Sequence, residues 1–188
     1  ILSITVNPLL FRTIPTIEAW LSRRPLLWRI FNARAERWSQ ESNVATAGDL
    51  AHAASGGAGL AIVIGYGPVG RAVHRTLEEA GLRTVVIDLN MDTIQALRAE
   101  GHHAIFGNAS HEAILEQAGA KKASHILVTL PGSSDRAAVV AAGRSLNRQA
   151  RILVRARYLN ERVNLEQAGA SAAVFEEGEA ALALARLV

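Results

Sequence analysis

The sequence predicts an α/β domain: a doubly wound, six-stranded parallel sheet, preceded by an N-terminal helical segment and a linker. Three observations carry that prediction. From Leu60 onward, apolar runs of four to six residues alternate with helical patterns, the signature of parallel strands buried on both faces. A glycine-rich turn, GYGPVG at Gly65–Gly70, joins the first such run to the first helical pattern. Finally, 49% of the 188 residues are apolar, which suits a well-buried core in one domain with an appendage.

The first strand is LAIVIG (60–65), and Pro68 opens a helix that runs to about Ala80. Proline at N1 costs nothing locally, because its missing N–H would have had no intrahelical acceptor. Strand RTVVID (83–88) and helix MDTIQALRAE (91–100) follow, then a short strand HAIF (103–106) and helix HEAILEQAG (111–119). Strand HILVTL (125–130) leads to helix SDRAAVVAAGRSLN (134–147). Strand RILVRA (151–156), helix NERVNLEQAG (160–169), strand AAVF (172–175) and helix EAALALARL (179–187) complete the pattern. Six strands in this alternation match a Rossmann-like sheet. LEQAGA occurs at both Leu115–Ala120 and Leu165–Ala170. Each copy reads as a helix end, with Gly119 or Gly169 supplying the left-handed residue after the last turn.

Charge divides the chain unevenly. Residues 1–38 hold six Arg and two Glu, and all three Trp (20, 28, 38), while the rest carries 14 basic and 15 acidic side chains. The net charge of +3 therefore belongs to the N-terminal segment, and the main domain has no basic field to recruit nucleic acid. With no cysteine, disulfide frameworks and thiolate metal sites are excluded. Residues 1–40 read as one region, Glu41–Gly59 as a small, polar, glycine-bearing linker, and Leu60–Val188 as the folded domain.

GYGPVG stands where a dinucleotide fingerprint should, directly after a buried strand and before a helix. Gly65 allows the tight turn, Gly67 lets the backbone approach a phosphate, and Gly70 lets helix and strand pack closely. Tyr66, Pro68 and Val69 complete the loop, whose N–H groups and helix dipole make an anion site. Asp88 ends the second strand 18 residues after Gly70, with Leu89 beside it. Its carboxylate can accept from ribose hydroxyls and would repel a 2′-phosphate, which favours NAD(H) or an adenine nucleotide over NADP(H). The sequence offers no catalytic constellation. The six His (52, 74, 102, 103, 111, 125) show no metal-ligand spacing, so no metal is expected, and His111 reads as a surface residue. Tyr158 is followed four residues later by Arg162, not the Lys a short-chain dehydrogenase would need. A nucleotide site without catalytic equipment suggests sensing. The alternative is a Rossmann fragment of an NAD-dependent oxidoreductase.

ILSITVNPLLF (1–11) is about half of what a membrane-spanning helix requires, and Pro8 makes it a poor buried helix. It reads as the trailing end of a transmembrane helix that begins upstream of Ile1. The arginines after it match the excess found on the cytoplasmic side of a membrane. Trp20, Leu27, Phe31 and Trp38 share one face of a helix interrupted near Pro25. That face suits the headgroup level or a protein surface equally.

GYGPVG, VVIDLN, GNAS and ILVRARY, in this order and spacing, resemble the TrkA-N (RCK N-terminal) domains that regulate potassium channels and transporters. Together with SITVNPLLF they are similar to the Kef-type cation:proton antiporters, in particular the YbaL-like branch. The resemblance implies a cytoplasmic domain on the bacterial inner membrane, in the same polypeptide as an antiporter membrane domain. That domain would bind NAD(H), AMP or ATP as a regulatory ligand and pair into a homodimer through its late helices. It matches Gly65, Tyr66, Gly67 and Gly70 to the phosphate loop, and Asp88 to the ribose-binding acid. Asn108 and Ala109 match a Gly-Asp-Ala element against the adenine, with Asn here in place of the usual Asp. Thr129 and Leu130 fall where the sheet's carboxyl edge faces the ligand. Pro68 stands where the family often has a phosphate-reaching Arg; Arg71 is a candidate substitute, with an outward-facing side chain after the final glycine as the alternative. Arg155, Arg157 and Tyr158 become candidates for an interface, or the solvated end of the fifth strand.

Overall fold

A computed structural model describes residues 59–132 and 135–187. The expected end of a membrane helix, the Arg/Trp-rich helices and nearly all of the linker lie outside the described residues. Within them the expected alternation is present in full. Strands β1 (Leu60–Ile64), β2 (Arg83–Asp88), β3 (His103–Phe106), β4 (His125–Val128), β5 (Arg151–Ala156) and β6 (Ala172–Phe175) form one sheet. Helices α1 (Pro68–Glu79), α2 (Met91–Ala99), α3 (Glu112–Gln117), α4 (Arg136–Leu146), α5 (Leu159–Gln167) and α6 (Glu176–Ala185) follow the strands in turn.

The sheet order is β3-β2-β1-β4-β5-β6 and every pairing is parallel. This is the Rossmann order, with its switch point between β1 and β4, where the chain leaves one half of the sheet for the other. Register follows burial. Ile62 pairs with Val85 on one side and Ile126 on the other, and Ile64 with Ile87 and Val128.

Two cores lie on the two faces. The larger joins Ile62, Ile64, Ile87, Ile105, Ile126 and Ile152 to Leu115 of α3, Val139 and Val140 of α4 and Leu165 of α5. The smaller packs Val63, Val86 and Ala104 under Ile94 and Leu97 of α2, with Val73 and Leu77 of α1 alongside. Coverage on both faces therefore holds for β1, β2 and β3. It does not hold for the other half. β5 alternates buried with half-exposed residues along RILVRA, and Val174 of β6 is 46% exposed. The physical reason is connectivity. The helices after β1 and β2 cover one face of β1–β3, whereas those after β3, β4 and β5 pack on the opposite face.

Helix boundaries are set by caps. Asn90 Oδ1 accepts from Thr93 N–H at 3.1 Å, and Asp135 Oδ1 from Ala138 N–H at 3.0 Å, so α4 starts two residues later than the sequence pattern suggested. The two LEQAGA copies end α3 and α5 as expected, with Gly119 at φ +80° and Gly169 at φ +111°. Helix α6 begins three residues earlier than predicted, at Glu176, whose carboxylate pairs with Arg155 (Nη2–Oε2 2.8 Å).

Candidate nucleotide site

The loop after β1 sits at the switch point, at the carboxyl edge of the sheet, where ligands of such folds bind. Gly65 has φ +91°, a left-handed conformation that a side chain would strain. It is pinned by its N–H donating to Ile87 O at 2.8 Å. A Cβ placed on Gly70 would lie 2.0 Å from Gly65 O, so helix and strand meet there only because Gly70 has no side chain. Gly67 is different. Its φ of −68° suits any residue, and nothing lies within 4 Å of where its Cβ would be. The space over Gly67 is open, as the approach of a phosphate to backbone requires.

Pro68 is N1 of α1, as expected, and the first intrahelical bond runs from Arg71 N–H to Gly67 O at 2.9 Å. The N–H groups of Val69 and Gly70 thus have no intrahelical acceptor and remain for an anion. Arg71 is exposed, and its charge is felt at the Tyr66 hydroxyl.

Asp88 is held in place by two backbone N–H groups. Its Oδ2 accepts from Tyr66 N–H at 2.6 Å and its Oδ1 from Asn90 N–H at 2.7 Å. One bond reaches the phosphate loop and the other the start of α2, so the carboxylate ties the two together. Each oxygen keeps a second acceptor direction for a ribose hydroxyl. Leu89 beside it is 64% exposed.

The remaining predicted residues divide by role. Asn108 is exposed and accepts from Ser110 N–H at 3.0 Å, shaping the turn after β3. Ala109 is 4% exposed and its methyl belongs to the larger core, which leaves only its backbone to face a ligand. Thr129 lies beside the loop as expected, but its hydroxyl points inward, with Ile64 O at 3.0 Å and Gly65 O at 2.8 Å as acceptors. It holds the first glycine in place instead of offering a donor outward. Leu130 contacts the same glycine, its Cδ2 3.0 Å from a Cβ built on Gly65. Arg155 is engaged within the domain by Glu176, while Arg157 stacks over the Tyr158 ring at 5.1 Å in an exposed setting.

His–His spacing in the sequence shows no metal-ligand pattern, yet in the structure His74, Glu78 and His102 converge, with ligand atoms all within 4.8 Å of one another. His74 and Glu78 are four apart on α1 and share a face, a signal present in the sequence; His102 comes in from the turn before β3. Burial pushes the His74 imidazole pKa down, with Glu78 pulling the other way and His102 adding to the fall. Tyr66 lays its ring edge against His74, centroids 5.5 Å apart, and burial followed by the charges of Glu100 and Glu78 raises its hydroxyl pKa. Among the described residues no helix is long and apolar enough to cross a membrane.

Comparison with known proteins agrees with this geometry. The family model of the TrkA-N domain matches residues 61–176. The putative cation/proton antiporter YbaL of Escherichia coli K12 is 28% identical over all 188 residues, which span 31% of YbaL. The glutathione-regulated potassium-efflux protein KefC of Cronobacter sakazakii is 30% identical over 126 residues, 67% of this chain and 20% of KefC. The chain thus spans a third or less of these relatives. Among solved structures, the TrkA-N domain of the E. coli inner membrane protein YbaL superposes with a TM-score of 0.66 at 30% identity, covering 70% of this chain and 97% of that one. The GsuK channel bound to NAD gives 0.56 at 26% identity, covering 64% of this chain and 22% of that one.

Proposed function

Because this chain belongs to the TrkA-N domain family, we propose that residues 60–188 are a nucleotide-sensing regulatory domain of a monovalent cation:proton antiporter, with potassium as the cation. The ligand is NAD(H) or an adenine nucleotide. The observation that carries this reading is the open space over Gly67 beside an Asp88 carboxylate already oriented by Tyr66 and Asn90 N–H groups. Pyrophosphate or phosphate would lie on the N–H groups of Val69 and Gly70, and the ribose hydroxyls on Asp88. GsuK with NAD supports the ligand class.

The alignment with YbaL runs through residues 1–59 as well. That supports reading 1–40 as the end of a membrane helix plus juxtamembrane helices, and 41–59 as a linker to the antiporter domain of the same polypeptide. The domain would then sit on the cytoplasmic face of a bacterial inner membrane. Binding acts on transport only to the extent that nucleotide prefers one of two states of the assembly.

The domain works as a homodimer in this reading. Helix α6 has no buried residue and exposes Leu182 (53%) and Leu184 (67%), and Val174 of the neighbouring β6 is also exposed. An apolar surface of that kind marks an interface. Sedimentation should find a dimer that Leu184→Asp splits; a wild-type monomer at high concentration would remove this part.

Titration calorimetry of the purified chain with NAD⁺, NADH, AMP, ATP and NADPH tests the ligand. Saturable binding of one nucleotide per chain, weaker for NADPH, is expected. No binding of any of the five would end the proposal.

A further inference from the structure

We infer that His74, Glu78 and His102 form a binding site for a divalent transition-metal ion of the zinc class, at the amino edge of the sheet, with Tyr66 of the glycine loop packed against the His74 ring. The inference does not depend on nucleotide binding.

Three observations converge on it. First, the ligand atoms are spaced for one ion. Glu78 Oε1 lies 3.3 Å from His74 Nε2 and 3.0 Å from His102 Nδ1. Tetrahedral zinc with bonds of about 2.0–2.1 Å places its ligand atoms roughly 3.4 Å apart; both Glu78 separations are close to that, and all three ligand atoms lie within 4.8 Å of one another. Second, His74 is 3% exposed, yet its Nε2 has no hydrogen-bond partner. The Glu78 oxygen is near but misaligned for a hydrogen bond, leaving a buried polar atom aimed into the cluster without an acceptor or donor. A cation supplies the missing partner for the ring's lone pair. Third, the outer groups suit a metal. Thr84 Oγ1 donates to the same Glu78 oxygen at 3.2 Å, and Glu100 Oε2 stands 3.8 Å from His102 Nε2, the ring nitrogen that would remain free. A carboxylate behind a ligating histidine fixes its tautomer and strengthens its bond to the ion.

Two imidazoles and one carboxylate select zinc and its neighbours over magnesium or calcium, which prefer oxygen ligands. His102 is 29% and Glu78 37% exposed, so the fourth position opens to water and the ion has an entry path.

The test uses the untagged full chain, stripped with chelator and titrated with zinc chloride in a calorimeter. One ion per chain should bind at this cluster and raise the Tm. His102→Ala, a change at a partly exposed site, should leave the metal-free Tm unaltered, weaken that binding by about a hundredfold and abolish the zinc-induced rise in Tm. Glu78→Gln should act in the same direction, and Glu100→Gln should weaken binding about tenfold. The proposal is overturned if wild type shows no saturable zinc binding. It is equally overturned if His102→Ala and Glu78→Gln bind zinc with wild-type stoichiometry and affinity, since the ion would then sit on other histidines.

Discussion

Substituting alanine at each of two glycines three residues apart, Gly67 and Gly70, separates ligand contact from folding. At Gly70 the added methyl would stand 2.0 Å from Gly65 O and 2.9 Å from Thr129 Oγ1, against the 3.4 Å at which ordinary contact begins. The obstacle on one side is backbone, which cannot rotate away. α1 must lift from β1 by more than an ångström, and the Thr129 hydrogen bond to the loop is strained with it. Overpacking costs about 1–3 kcal/mol and a weakened buried hydrogen bond about 1 more, so Gly70→Ala should lose roughly 3 kcal/mol. For a domain of this size that lowers Tm by about 10 °C. At Gly67 the same methyl meets nothing, and φ is already one that alanine adopts. The gain from restricting the unfolded chain offsets the poorer N-cap, so stability should stay within about 1 kcal/mol. The methyl would nevertheless occupy the approach of the phosphate. Calorimetry should show nucleotide affinity falling at least about tenfold, or about 1.4 kcal/mol, with the fold intact. A Gly67→Ala domain that binds as wild type would refute the placement of phosphate on this loop. A Gly70→Ala domain with wild-type Tm would refute the steric argument itself.

Further tests address the two carboxylates that organise the domain. Asp88→Asn keeps the size but puts an amide donor against a backbone N–H, and removes the charge that receives ribose. NADH binding should weaken about 10- to 100-fold, on the scale of a hydrogen bond to a charged group, and the preference over NADPH should shrink; tighter NADPH binding by the wild type would remove this role for Asp88. Glu161 Oε2 accepts from Arg136 Nη2 at 2.6 Å, and Arg136 is 5% exposed. Glu161→Ala leaves that cation buried without its anion and should cost about 3 kcal/mol, the low end for breaking a buried pair, because Glu161 is itself 27% exposed. Chemical denaturation would measure it, and a loss under 1 kcal/mol would show that Arg136 finds another partner. Burial opposes ionisation of Glu161, but the N–H groups of Arg157 and Tyr158 and the Arg136 charge prevail and hold its pKa below the ordinary 4.5. A depressed carboxylate contributes stability that is fully present above its unfolded pKa and is lost as pH falls through the folded value. Wild-type Tm should therefore drop more steeply than that of Glu161→Ala as pH falls below about 4.5; parallel curves would contradict the shift.

The sheet was legible because strands covered on both faces must be apolar through their buried centres, as LAIVI and the VVI of RTVVID are. The glycine turn was legible because each glycine has a separate geometric duty, and Gly65, Gly67 and Gly70 differ in the structure as those duties require. What escaped was whatever depends on direction. Nothing in the sequence tells that the Thr129 hydroxyl turns inward, since a threonine at a strand end can face either way. The half-covered face of β4–β6 was concealed by continuous apolar runs, because Leu127 and Leu153 look alike whether a helix or another chain covers them. The His74–Glu78–His102 cluster was hidden by distance along the chain. His74 and Glu78 advertise a shared helix face, but His102 joins them only once β2 and β3 have been laid side by side.

That arrangement also bears on coupling between the proposed nucleotide and metal sites. Helix α1 has the open anion site at its first turn and Glu78 in its last, and His74 stands between them. Tyr66 joins the loop to the middle of this line: its N–H donates to Asp88, and its ring rests on the His74 imidazole, which in turn lies edge-on to His102 at 5.0 Å. A group that fixes the His74 ring therefore fixes the surface on which the phosphate loop's own tyrosine packs. Any free-energy coupling between the two sites must be reciprocal. If it runs through that ring contact, Tyr66→Ala should leave zinc bound to its three ligands while removing the influence of zinc on nucleotide affinity. Loss of both together would instead mean that Tyr66 supports the fold of the loop and carries no signal.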